Sequence, residues 1–133
     1  MLGPDHTPYD ALGGEAKVRA IVESFYDAMS DHEPALAKIH QCDEQGRVSR
    51  ESRDRFALFL IGWLGGPQTY VEQHGHPRLR GRHAHVAIDT AMRDAWMRAM
   101  TRALDVQAVT GEVRTFLDAR LADVATFLRN RAS

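Results

Sequence analysis

The chain has 133 residues, 44% of them hydrophobic, which suits one domain with one core and excludes a disordered segment. With 17 basic against 18 acidic side chains the formal net charge is −1, which excludes a global pull toward nucleic acid or an anionic membrane. Cys42 is the single cysteine, so an internal disulfide is excluded and a reducing compartment fits.

No basic and apolar leader opens the sequence, and no apolar run approaches the ~18 residues that span a bilayer, so a cytoplasmic protein is expected. Residues 1–133 read as one domain, with 1–7 as a flexible N-terminal extension. The first helical pattern places Val18, Ile21, Val22, Phe25, Tyr26 and Met29 at i, i+3, i+4 spacing, between Gly13-Gly14 and Pro34. Residues 35–52 are less regular. Leu36 and Ile39 read as half-buried there, and Asp43-Glu44-Gln45-Gly46 as an exposed loop.

A second helix carries Phe56, Phe59, Leu60, Trp63 and Leu64 and stops at Gly65-Gly66-Pro67, where glycine permits a left-handed end and proline prevents resumption. Residues 68–88 hold Gly75, Pro77 and Gly81, which predicts short turns or a single helical piece near His83. A third helix starts at Asp89-Thr90, either of which can cap it, with Met92, Ala95, Trp96, Ala99, Met100 and Ala103 on one face. A last helix runs from about Thr110 through Val113, Phe116, Leu117, Leu121, Val124 and Leu128. Strand patterns are absent, and the expected class is all-α.

His83 sits between a turn-rich stretch and the apolar Val86 and Ile88, a place from which an imidazole can project inward as an axial ligand to iron. Spacing alone favours the plainer reading, a surface residue beside Arg82. His74, His76, His83 and His85 form two H-x-H pairs that can chelate zinc or another transition metal. Arg78, Arg80 and Arg82 between the pairs oppose a dication, and the cluster stands as the alternative, a non-haem helical metal-binding protein. Trp96 and Tyr26 lie on apolar helix faces, where an indole N–H and a phenol O–H need partners.

Taken together, Phe25-Tyr26, Phe59-Leu60-x-x-Trp63-Leu64-Gly65-Gly66-Pro67-x-x-Tyr70, Gly75-His76-Pro77-Arg78-Leu79-Arg80-x-Arg82-His83 and Arg93-Asp94-Ala95-Trp96 resemble the group II truncated hemoglobins. Tyr9-Asp10-Ala11-Leu12-Gly13-Gly14 matches that family's opening, and the likeness covers about residues 8–128. The resemblance implies a two-over-two helical sandwich around haem b. His83 then matches the proximal iron ligand, and Trp96 and Tyr26 the distal donors. His40 falls at the edge of the cleft, Ser52 where other globins keep a distal histidine, and Phe56 one turn further in.

Arg55, Tyr70 and Arg82 fall where relatives place partners of the haem propionates, while Phe59 and Val86 fall among the haem contacts. Three departures stand out: a longer segment between His40 and Phe59, His85-Val86 in place of the usual Pro-Phe, and Ala99 where cysteine is common. The implied ligands are O2, NO, CO or peroxide, held by converging donors for scavenging, sensing or redox chemistry rather than bulk O2 transport. Turnover as a haem-dependent NO dioxygenase or peroxidase, fed by an unidentified reductase, is left open, as is a monomer or homodimer.

Overall fold

A computed structural model of the chain describes residues 6–40, 42–75 and 88–128. Helices α1 (Pro8–Leu12), α2 (Glu15–His32), α3 (Pro34–Ala37), α4 (Arg50–Trp63), α5 (Thr69–His74), α6 (Thr90–Val106) and α7 (Gly111–Leu128) follow one another. The described residues hold no strand longer than an isolated bridge between Cys42 and Val48. Two layers of two helices make the expected sandwich: α2 packs chiefly on α6 and on α4, and α6 pairs with α7. No helix among the described residues is long and apolar enough to cross a membrane.

The apolar spacing of α2 does what it predicts, since Val18, Ile21, Val22, Phe25, Tyr26 and Met29 are all buried. Opposite them, Ala95, Ala99 and Ala103 of α6 are buried as well, and their small side chains let the two helices approach closely. Polar ties fix the pair at both ends. Arg98 forks onto the Glu33 carboxylate at 2.9 and 2.8 Å, and Lys17 Nζ donates to the Gln107 carbonyl at 2.6 Å.

Helix α4 begins at Ser49, whose hydroxyl accepts from the Ser52 amide, and α6 begins at Asp89, whose carboxylate accepts from the Met92 amide. After α4, Gly65 takes φ +99°, and a Cβ on Gly66 would meet the Tyr9 ring at 2.7 Å. The double glycine thus serves both a left-handed turn and the seating of the N-terminal segment. That segment is more ordered than expected. Thr7 closes a capping box with Asp10 at the start of α1, so the extension expected over 1–7 does not include Thr7.

In the irregular region Leu36 is buried, whereas Ile39 is exposed rather than half-buried. The short helix α3 turns the Leu36 side inward and leaves Ile39 beyond its end. Asp43 to Gly46 form the expected exposed turn, closed by Asp43 N–H to the Arg47 carbonyl at 2.7 Å. In the stretch expected to hold turns, α5 forms at Thr69–His74, and the helical piece expected near His83, like His83 itself, lies outside the described residues.

Candidate ligand-binding site

A cleft partly open to solvent is lined by residues from α3, α6, α7 and the connecting segments. Leu36 and Ile39 come from the α3 turn, Ile88 and Met92 from the entry to α6, and Val124, Ala125 and Leu128 from the last turns of α7. Three side chains in the lining carry nitrogen: His40, Arg93 and Trp96. Mostly apolar walls with a few polar side chains suit an organic group with few polar anchors.

Behind the cleft runs a chain of aromatic rings. Trp96 meets Phe25 edge-on at 5.2 Å between centroids, and Phe25 meets Tyr26 at 4.9 Å and Phe56 at 5.6 Å. Tyr26 contacts His40 at 5.7 Å and Phe56 at 5.8 Å. The chain continues from Phe56 through Phe59 and Tyr70 to His74. Helix periodicity explains it: Phe56 and Phe59 sit three apart on α4, facing the Phe25-Tyr26 pair of α2.

The structure brings several of the residues singled out in the sequence close together. Trp96, Tyr26, His40, Phe56, Phe59 and Tyr70 form one connected set of rings. Ser52 and Arg55 are turned to local partners instead. Ser52 receives a hydrogen bond from the Ser49 hydroxyl at 3.1 Å. Arg55 is half-exposed and pairs with Glu51 one helical turn back at 2.7 Å. Arg82, Val86 and His83 lie outside the described residues, as do His76 and His85 of the alternative metal cluster. Among the described residues no group of three His, Cys, Asp or Glu side chains can hold a metal ion, and His74 is exposed against Tyr70.

Protonation states follow from the surroundings. Burial pushes the Tyr26 phenol well above the ordinary tyrosine range, more than the charges of Arg53 and Arg55 pull it down, so it stays a neutral donor. No hydrogen bond satisfies the Tyr26 hydroxyl or the Trp96 indole nitrogen among the described residues. His40 Nδ1 lies 3.0 Å from the Leu36 carbonyl, an atom that only accepts. Its proton is thereby placed on Nδ1, and in the neutral ring Nε2 carries none. Held this way, the neutral His40 ring at the edge of the cleft directs its N–H to Leu36.

Two contributions were not expected from the sequence. Arg93 lines the cleft and is held by Thr126 and Asp94, although its block had been noted only for Trp96. Arg53 is the one buried charge among the described residues, and its Cζ lies 5.8 Å from the Tyr26 ring centroid. The pair Glu23 and Asp27, four apart beside the apolar face of α2, was the available signal for a buried cation partner.

Comparison with known proteins agrees with this architecture. The sequence profile described as bacterial-like globin matches residues 7–130. The group 2 truncated hemoglobin YjbI of Bacillus subtilis is 36% identical over 95% of this chain and 90% of its own length. The crystal structure of the group II truncated hemoglobin from Bacillus anthracis superposes with a TM-score of 0.86 at 36% identity, covering 96% of this chain and 98% of that one. The truncated oxygen-avid haemoglobin from Bacillus subtilis does so with a TM-score of 0.84 at 37% identity, covering 93% and 99%.

Proposed function

The chain belongs to the bacterial-like globin family, among its group II truncated hemoglobins, and from that premise we propose that it binds O2 and related diatomic gases at haem b held by His83. Haem-based binding of a small ligand follows from the family. The finer reading is retention of the gas for scavenging, sensing or redox chemistry rather than bulk transport. The observation that carries it is the ring cluster that joins Tyr26 O–H and Trp96 N–H through Phe25 beside a mostly apolar cleft. The oxygen-avid character named for the Bacillus subtilis relative supports the same direction.

The residues present fit a porphyrin. Leu36, Ile88, Met92, Val124 and Leu128 offer apolar walls, with His40, Arg93 and Trp96 as the polar side chains among them. Haem would supply the reversible coordination of the gas, with the imidazole of His83 as the protein's ligand to it. Trp96 and Tyr26 then donate hydrogen bonds toward negative charge that builds on the gas, in surroundings where little water competes. Phe25, Phe56 and Phe59 exclude water around those donors and add no hydrogen bond.

The purified protein should show a Soret band that is lost or strongly shifted in His83→Ala. A colourless protein after addition of haemin, or equal haem uptake by the variant, overturns the reading. Stoichiometric zinc without a Soret band would instead favour the histidine cluster.

A further inference from the structure

We propose that Arg53 is a positioning residue for Tyr26, fixing the orientation of its phenol toward the gas; this rests on the reading of Tyr26 as a distal donor. The Arg53 side chain is 7% exposed and pinned in three directions. Its Nε–H donates to the Val48 carbonyl at 2.8 Å, and Nη1 donates to Glu23 at 2.9 Å and to Asp27 at 3.0 Å. Glu23 lies three residues before Tyr26 on α2 and shares its face, and Asp27, four after Glu23, follows on the adjoining side of the helix. A guanidinium held this way cannot follow the phenol, and the phenol instead meets a fixed cation near its ring.

Charge balance alone does not require a buried arginine here. Arg50 already donates to Glu23, and Arg47 already donates to Asp27 and Asp31, both from the surface. Burying a third cation costs desolvation that a surface ion pair avoids. What Arg53 adds over the other two is its contact with Tyr26. The remaining neighbours of that ring, Phe25, Phe56 and His40, touch it at tilted or edge-on angles. Dispersion among such rings tolerates sliding, whereas a fixed cation against a ring is sensitive to the ring's position.

The test is a double-mutant cycle on the haem-loaded chain, with Arg53→Met made in the wild-type and in the Tyr26→Phe background, and O2 release followed by stopped flow. Release should quicken roughly three- to tenfold in the first background and stay unchanged in the second, because the phenol through which Arg53 acts is gone. Ring-13C tyrosine NMR supplies a readout independent of gas binding. The Tyr26 signal, assigned with Tyr26→Phe, should be single in wild type and broadened or doubled in Arg53→Met. Arg47→Met, which loosens Asp27, one of the two carboxylates that anchor Arg53, should move neither readout.

Equal acceleration in both backgrounds overturns the proposal in favour of a general clamp, as does an unaltered Tyr26 signal. If Arg53→Met does not fold, Arg53→Lys runs the same cycle, because it keeps the charge and loses the fork. A wild-type chain that takes up no haem would overturn the haem reading instead, and the tyrosine signal would still report on Arg53.

Discussion

Replacing Trp96 with phenylalanine separates the donor from the ring. The aromatic contact with Phe25, 5.2 Å between centroids and 67° between planes, belongs to the class worth roughly 0.5–1.5 kcal/mol, and phenylalanine keeps much of it. The indole is only partly buried, so the smaller ring should cost less than about 1.5 kcal/mol of stability. The lost N–H acts on charge in a water-poor pocket, where one donor contributes on the order of 1–3 kcal/mol. O2 release should therefore quicken about five- to 150-fold in Trp96→Phe while urea unfolding shifts little. Stopped-flow release paired with urea melts on the same samples reads both quantities. Equal release rates would remove Trp96 as a donor, and a loss of stability near 3 kcal/mol would show that its main role is packing.

His40→Phe should leave O2 release at neutral pH within about twofold, since the neutral ring offers no N–H beyond the one given to Leu36; a slowing or quickening as large as that of Trp96→Phe would refute this. Acid should weaken the α2–α4 junction. Hydrogen bonds from Arg50 hold Glu23 below its ordinary value, and for Asp27 the bonds from Arg47 and Arg53 outweigh the upward push of burial. A lowered folded-state pKa contributes stability above the unfolded value that is lost as pH falls through the folded one, so stability should decline below the ordinary values of 4.5 and 3.8. Thermal melts from pH 6 to pH 3 check this, and a Glu23→Gln variant as acid-sensitive as wild type would refute the assignment.

The helices were legible because burial imposes a 3.6-residue period, and the six apolar positions of α2 recur with it in full view. The caps at Asp89 and the stop at Gly65 were legible for the same local reason. The ring cluster was half legible: Tyr26 and Trp96 could be placed on apolar faces, but their meeting through Phe25 depends on how α2 crosses α6. Arg53 was not legible. A charge within an exposed-looking Arg-Glu-Ser-Arg-Asp-Arg run reads as solvated until the 42–48 turn folds back and offers the Val48 carbonyl. The turn of Ser52 toward Ser49 and of Arg55 toward Glu51 likewise follows from side-chain choices within one helix, which sequence spacing does not decide.

The end of α7 carries a thermodynamic consequence. Val124, Ala125 and Leu128 face the cleft, while Phe127 of the same turn points to solvent and is 54% exposed. The last described turn of that helix thus presents Val124, Ala125 and Leu128 to whatever enters the cleft. Occupancy and helix termination become linked equilibria: each molecule that enters tightens the end of the helix, and anything that loosens that end weakens uptake by the same free energy.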